Sequence, residues 1–308
     1  MFLACLSFRT VDSVCDGPYA VGPAPRYDIV DTCGRVKVTH GINNVVKGPP
    51  YFPASNFTPG GGSLSPVDAA LLRSAGLNGV RLGVMWAGTV PSARGDVNHT
   101  YLAALVDTAR TLYEAGLTVL LDAHQDGLSE LFCDDGAPMW WAREFTTGVP
   151  GFPEPLGPAF PSLPPSSNEC GEYAWVEMYL TNAVGTGFAA LYNDTVARRD
   201  FLDFWAAVVT AFAAAPAGSV LGYEILNEPW AGDAVSNPLL LIPGVADNVT
   251  LSPFYDAVAT AVRAAEAGSG SPTRLIFMEP VTWDETFPAG FSRDDAVWSS
   301  NSSVMSYQ

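Results

Sequence analysis

The chain has 308 residues, of which 48% are hydrophobic and only 15% charged, and this composition excludes a disordered or coiled-coil protein. The length is sufficient for one large domain with a complete hydrophobic core. The formal net charge of −17 repels phosphate backbones, so nucleic acid is not expected as a partner, and it disfavours simple adsorption to anionic lipid.

The N-terminal segment MFLACLSF is apolar, but it lacks a basic region and a cleavage site, and Arg9 interrupts it. We predict that residues 1–26 are an extension or the remnant of a signal peptide. The remaining residues, 27–308, are predicted to form one domain, because no segment inside them is long enough to be a linker.

Beyond this segment, short β-rich runs alternate with runs of helical spacing. The uncharged run at 204–223 is about as long as a membrane span, but Pro216 and Gly218 divide it, so a buried helix followed by a buried strand is the preferred interpretation. A membrane anchor is the alternative. The predicted strands lie at 35–46, 79–86, 118–126, 219–229, 274–283 and 304–308, and the predicted helices at 101–115, 188–191, 201–212 and 254–267.

Strands that alternate with amphipathic helices indicate an α/β protein with a parallel sheet, either open or closed into a (β/α)8 barrel. No glycine-rich nucleotide-binding motif follows the first strand, and polar residues gather at the C-terminal ends of the strands, where barrel enzymes place their chemistry. The sequence therefore predicts a (β/α)8 TIM barrel of which about six strands are present. Long insertions at 48–65 and 132–167 would lie on the same face.

Five cysteines and three histidines are scattered without a CxxC pair, so a structural metal is not expected, and no motif requires a cofactor. Cys133 and Cys170 flank a proline-rich loop and are predicted to form a disulfide; two buried thiols are the alternative. Five N-x-S/T sequons exceed the number expected by chance and favour a secreted or lumenal protein. These sequons begin at Asn56, Asn98, Asn193, Asn248 and Asn301.

The segment ILNEPW carries a carboxylate to the end of a buried strand, where Pro229 stops the strand. Glycoside hydrolysis needs a protonated carboxyl group for the leaving oxygen and a second, ionised carboxylate on the other side of the sugar. Glu228 suits the first role, and the Asn227 amide could hold a sugar hydroxyl. A glutamate that merely caps a turn is the alternative.

The segments VRLGVMW, LLDAHQDGLSELFC and GYEILNEPWAGD resemble glycoside hydrolase family 5, most closely its endoglycoceramidase branch, which cleaves the bond between the glycan and the ceramide of glycosphingolipids. NVVKGPPYFP and FMEPVTWDE are similar to the same branch. The resemblance covers about residues 27–308 and implies that they form a catalytic TIM-barrel domain.

The resemblance implies that Glu228 is the general acid/base and that Arg81 orients the nucleophile. Each binding role has a structural alternative: Arg81 could pair with Glu224 inside the barrel, Trp175 could be core, and Asp126 could cap a helix. The residues implied to bind substrate are Lys47, Arg81, His124, Asp126, Trp175 and Asn227.

The nucleophilic glutamate of this family lies at the end of the seventh strand, whereas the last predicted strand of this chain is the sixth. Gln308 also stands where the family has a histidine. We therefore expect an incomplete sequence, with the nucleophile beyond Gln308. Glu279, with Asp284 and Glu285 nearby, is an alternative source of a second carboxylate. The pKa of Glu228 is expected to be raised by burial and by its neighbouring carboxylate.

These expectations define a retaining glycosidase acting on glycosphingolipids, without cofactor, as a monomer. Apolar residues in the insertions, such as Tyr51, Phe52 and Trp140, favour a lipid-like substrate and transient contact with a membrane surface. The alternatives are a glucosylceramide or steryl-glucoside β-glucosidase, and a catalytically inactive fragment that binds glycolipid.

Overall fold

The computed structural model describes residues 15–23, 26–281 and the backbone of 304–306. Within these residues, six parallel strands form one sheet in which each strand lies beside the next strand of the chain. The predictions concerning Asp284, Glu285, Asn301 and Gln308 fall outside the described residues. The sheet strands are β3 (Gly41–Asn44), β4 (Gly79–Gly83), β5 (Thr118–Asp122), β6 (Val220–Glu224), β7 (Leu275–Met278) and β8 (Val304–Ser306).

Parallel strands in unbroken chain order, with helices between them, are the arrangement of a (β/α)8 barrel. The predicted fold class is thus confirmed, and six strands of the barrel lie within the described part of the chain. Strands β6 and β7 are buried at every position, as expected for a sheet covered by helices. The helices are α1 (Pro66–Ser74), α2 (Trp86–Thr89), α3 (His99–Glu114), α4 (Met139–Phe145), α5 (Ser167–Cys170), α6 (Asn182–Asn193), α7 (Thr195–Ala211) and α8 (Ser252–Ser269).

Capping side chains mark the starts of α1 and α7. Asp194 accepts hydrogen bonds from the amides of the first turn of α7, so that helix starts six residues before the predicted 201–212. Helix α1 was not predicted at all. Its signal is the capping box of Ser65 and Asp68 with proline at the first helical position, directly after the predicted insertion 48–65.

The first predicted strand, 35–46, is wrong in length, since only Gly41–Asn44 joins the parallel sheet. The preceding residues belong elsewhere: the Lys37 amide donates to the Ile29 carbonyl, and Val36 bridges Val30. They lie beside a small antiparallel pair formed by β1 (Ala20–Val21) and β2 (Ile29–Val30). Local β propensity could not show which sheet would accept these residues.

The run at 204–223 is a buried helix followed by a buried strand, as predicted, because α7 ends at Ala211 and β6 starts at Val220. Across the described residues, no helix is both long and apolar enough to cross a membrane. Phe204 and Trp205 are fully buried in the core between the helices and the sheet.

The predicted disulfide between Cys133 and Cys170 is present. A second disulfide, which was not predicted, joins Cys15 to Cys33. Together with the β1–β2 pair, this bond links residues on either side of position 26. The proposed boundary between residues 26 and 27 stays a prediction.

Gly222 tests how tightly β6 and β7 must approach. A methyl group at this position would overlap the Leu275 carbonyl oxygen and lie 2.6 Å from the Phe277 ring. We expect Gly222→Ala to lower the free energy of unfolding by about 1–3 kcal/mol, measured by chemical denaturation. Gly268→Ala in α8 meets no atom within 4 Å and is the control, expected to be neutral or slightly stabilising. Equal stability of the two variants would contradict the close packing.

Candidate active site

The side chain of Arg81 on β4 connects the ends of the neighbouring strands. Its guanidinium forms two parallel hydrogen bonds with Glu224, of 2.7 and 2.9 Å, and donates to Asn227 Oδ1 at 2.7 Å. It also pairs with Asp122 at 2.9 Å. The alternative predicted for Arg81, an ion pair with Glu224, is therefore present. Arg81 also contacts Asn227, the residue that precedes Glu228. Burial alone would lower the pKa of Arg81, but these carboxylates raise it.

A line of alternating charges runs from Arg81 towards the protein surface. Asp122 contacts Arg81 and also His124 Nδ1, at 2.8 Å, and His124 Nε2 lies 3.3 Å from Asp126 Oδ2. Asp126 in turn accepts a hydrogen bond from Lys47, whose side chain is half exposed. Asp126 is thus part of an ion-pair network and does not cap a helix. Four predicted substrate-binding residues are brought together in this line.

His124 is a cation in this setting. Burial by itself would lower its pKa, but the hydrogen bonds to Asp122 and Asp126 outweigh burial and raise the pKa to about 10. The imidazole is therefore protonated at pH 7, with both nitrogens donating to carboxylates. It is suited to fix Asp126 in place and unsuited to act as a general base.

Asp135 lies beside the ion pair of Asp126 and Lys47. Its backbone exchanges hydrogen bonds with Asp126, and its buried carboxylate lies 3.5 Å from Lys47 Nζ. Burial raises the pKa of Asp135 to about 6 and that of Asp134 to about 7. His124, Asp126 and Asp135 have ligand atoms within 4.8 Å of one another, a set that could hold a cation, but the Lys47 ammonium group already supplies the positive charge there.

The Asn227–Glu228 turn is separated by two residues from the end of β6, at the edge of the sheet where the predicted strand 219–229 was expected to continue. The main-chain N–H of Asn227 donates to the Ala123 carbonyl at 3.0 Å. Glu228 has a φ of +40°, which is rare for a residue with a side chain. The Glu228 amide donates to Glu279 Oε2 at 2.9 Å. Burial, followed by the hydrogen bond and the charge of Glu224, raises the pKa of Glu279 to about 9. Glu279 is therefore neutral at pH 7.

Trp175 lies apart from the charged line, in a 3₁₀ helix (Trp175–Leu180) that follows the disulfide-bonded insertion. Its side chain is 53% exposed, so the alternative that it belongs to the core is wrong. Its ring packs edge-on against Tyr179, with centroids 6.1 Å apart. An exposed indole held by a buried ring is suited to stack on a sugar.

Sequence reasoning overlooked three residues that complete the site. Asp122 and Gln125 lie inside the segment LLDAHQDGLSELFC, which was quoted for its neighbouring residues, and Asp135 lies two residues beyond it, in the predicted insertion 132–167. A polar residue in the middle of an otherwise apolar segment, as in LLDAH, was the available signal for Asp122.

The family model for cellulase, glycosyl hydrolase family 5, matches residues 65–306, so the chain belongs to glycosyl hydrolase family 5. Endoglycoceramidases from Cyanea nozakii and Hydra vulgaris are 39% and 37% identical over 287 and 314 residues, which cover 91% and 100% of this chain. The predicted resemblance to the endoglycoceramidase branch is confirmed. The chain spans about half the length of these relatives, 54% and 57%.

Solved structures show the same fold. Endo-glycoceramidase II from Rhodococcus sp., in a complex with ganglioside GM3, has a TM-score of 0.65 at 21% identity. The match covers 91% of this chain and 57% of that one. At this identity, the likeness supports the barrel architecture alone.

The protonation of His124 predicts a pH dependence of stability. Its pKa is about 6.5 in the unfolded chain and about 10 in the folded protein, so the stabilisation is complete below pH 6.5 and is lost as the pH rises towards 10. We expect the free energy of unfolding of the wild type to fall between pH 6 and pH 10, and we expect His124→Gln to reduce that fall by on the order of 3 kcal/mol. The measurement is chemical denaturation at the two pH values.

His99→Gln is the matched control, because His99 is exposed at the start of α3 and is expected to leave the dependence unchanged. Nuclear magnetic resonance of the imidazole provides a direct check. A His124 ring that titrates near pH 6.5 would contradict the ion-pair network.

Proposed function

We propose that the protein is a retaining glycoside hydrolase that cleaves the bond between the glycan and the ceramide of glycosphingolipids. The observation that carries this proposal is the placement of Glu228 in the turn that follows the C-terminal end of barrel strand β6, next to an Asn227 whose side chain is hydrogen-bonded to Arg81. The matched relatives are named endoglycoceramidases, which supports the choice of substrate class.

In the proposed reaction, Glu228 donates its proton to the glycosidic oxygen while a second carboxylate attacks the anomeric carbon. The carbon–oxygen bond breaks, ceramide leaves with its hydroxyl group restored, and the glycan is held as an ester. Glu228, now ionised, removes a proton from water. That water attacks the anomeric carbon, releases the glycan and regenerates both carboxyl groups in their original states.

Glu279 is unsuited to be the nucleophile, although it contacts Glu228. Its carboxyl group is neutral at pH 7, and one oxygen accepts the Glu228 amide hydrogen. An attacking carboxylate must be ionised and must reach the sugar. We therefore assign the nucleophile to a residue outside the described part of the chain.

The charged line provides the proposed polar subsite. Lys47 and Asp126 are at its outer end, where an ammonium group and a carboxylate can bind neighbouring sugar hydroxyls, and Asn227 can bind the hydroxyl beside the anomeric carbon. His124 holds Asp126 in place, and the exposed Trp175 is the proposed stacking surface for a sugar ring.

We also propose that the protein is secreted or lumenal and acts as a monomer, with transient contact to a membrane surface. Two disulfides support an oxidising compartment. Three of the sequon asparagines, Asn56, Asn193 and Asn248, are exposed.

Glu228→Gln tests the catalytic assignment in the protein expressed from its complete coding sequence. We expect turnover of gangliosides to fall about 10²–10⁴-fold, because the leaving alkoxide then departs without a proton. An aryl glycoside with an acidic leaving group should retain more of its kcat/KM. Turnover is measured as released oligosaccharide and ceramide.

Glu114→Gln, an exposed residue on α3, is the matched control and should retain full activity. Normal ganglioside turnover by Glu228→Gln would exclude the assignment. Release of glucose from glucosylceramide or a steryl glucoside, with intact gangliosides, would favour the β-glucosidase alternative. Binding of glycolipid without any released sugar would favour a binding module.

Trp175→Ala tests the stacking surface. Loss of one aromatic contact of about 0.5–1.5 kcal/mol should weaken glycan binding about 2- to 12-fold, with kcat nearly unchanged. Isothermal titration of an oligosaccharide gives the affinity, and Trp175→Phe should recover part of it. An unchanged affinity in Trp175→Ala would remove Trp175 from the site.

A further inference from the structure

The main chain at Glu228 is held in an unfavourable conformation. Its φ of +40° places a residue with a side chain in the left-handed region, which costs about 1–3 kcal/mol. The next residue is Pro229, which further restricts the backbone of the residue before it. Such a conformation persists only where the surrounding groups determine it.

The side chain of Gln125 is one of the groups that fix the main chain at Glu228. Its Nε2 donates to the carbonyl oxygens of two consecutive residues, Asn227 at 2.8 Å and Glu228 at 2.9 Å, and lies 3.4 Å from the Tyr179 hydroxyl. Its Oε1 accepts from the Leu128 amide at 3.1 Å. Only one orientation of the amide satisfies all these partners, because the reverse would oppose oxygen to two carbonyl oxygens.

The remaining polar groups of the turn are bonded as well. The main-chain N–H of Asn227 donates to the Ala123 carbonyl, and the main-chain N–H of Glu228 donates to the Glu279 carboxyl group. The side-chain Nδ2 of Asn227 donates to the Gln125 carbonyl at 2.9 Å. Of the four main-chain polar groups of Asn227 and Glu228, Gln125 thus bonds two. Gln125 itself is 3% exposed, so these bonds are protected from water.

We propose that Gln125 is a positioning residue for the general acid: its two hydrogen bonds fix the strained Asn227–Glu228 turn and thereby aim the Glu228 carboxyl group at the leaving oxygen. This proposal rests on the function proposed above. Gln125 does not contact the substrate in this role. It acts through the main chain of Glu228.

A positioning role has a kinetic signature that a general structural role lacks. Poor leaving groups, such as the ceramide alkoxide, need the proton from Glu228, whereas a dinitrophenolate leaves without it. Displacement of the acid should therefore lower kcat/KM for the lipid glycoside much more than kcat/KM for the dinitrophenyl glycoside. General loss of structure lowers both equally.

The test compares these two substrates in the wild type, Gln125→Met and Gln125→Glu, in the protein expressed from its complete coding sequence. The methionine variant keeps the side-chain length but has no donor. We expect its kcat/KM for the lipid glycoside to fall about 100-fold, as for a misplacement of about 1 Å, and that for the dinitrophenyl glycoside to fall less than about 5-fold.

Gln125→Glu supplies a second, independent readout, which also serves if the methionine variant does not fold. The introduced carboxyl group keeps the acceptor for Leu128 but can donate only when protonated. Its lipid-glycoside activity relative to wild type should therefore rise as the pH falls. A ratio to wild type that is constant with pH would overturn the proposal.

Val262→Ala is the control for general destabilisation, because Val262 is fully buried on α8 and its truncation is expected to lower stability without changing the ratio between substrates. Equal losses on both substrates in Gln125→Met, or no loss on either, would overturn the positioning role while leaving the proposed function intact. A wild type that cleaves neither substrate would instead defeat both proposals.

Discussion

The ion pairs of Arg81 are the interaction on which the candidate site depends. A guanidinium that is largely buried within a barrel is costly unless its donors are paired, and here it contacts Glu224, Asp122, Asn227 and Asn43. These partners come from β3, β5, β6 and the turn after β6, so one side chain fixes the relative positions of four segments. Burial would raise the pKa of Glu224, but its hydrogen bonds to Glu279 and Arg81 lower it, so this carboxylate stays charged.

The same pairing connects the two ends of the proposed site. The chain of contacts from Arg81 through Asp122 and His124 to Asp126 alternates in charge, and each member is held by the next. Arg81, at one end, holds the side-chain amide of Asn227 beside Glu228, the proposed acid. At the other end, Asp126 pairs with the half-exposed Lys47, where the proposed sugar hydroxyls would bind. Loss of an inner member should therefore disturb both ends, because it leaves a buried charge unpaired.

The sequence predicted those features that local patterns encode. Apolar runs located the sheet strands, spacing located α3 and α8, and the flanking cysteines of the insertion located the Cys133–Cys170 bond. The contacts of Gln125 with residues 102 and 103 positions away have no local pattern, since they exist only after β5 and β6 are paired. The same holds for the ends of 35–46, where competition between two sheets decided the outcome.

The strain at Glu228 distinguishes a positioning residue from an ordinary buried polar residue. Loss of Gln125 removes two hydrogen bonds to the turn and one from Leu128, of about 0.5–1.5 kcal/mol each, and should destabilise the fold, but relaxation of the positive φ at Glu228 offsets about 1–3 kcal/mol. These effects are of similar size and opposite sign, so the loss of Gln125 should affect geometry at the site more than global stability. A turn stabilised in this way can hold a carboxyl group in one orientation without adding much to the free energy of unfolding. Such a balance is expected at a reactive site, where a strained geometry is kept although it lowers the stability of the fold.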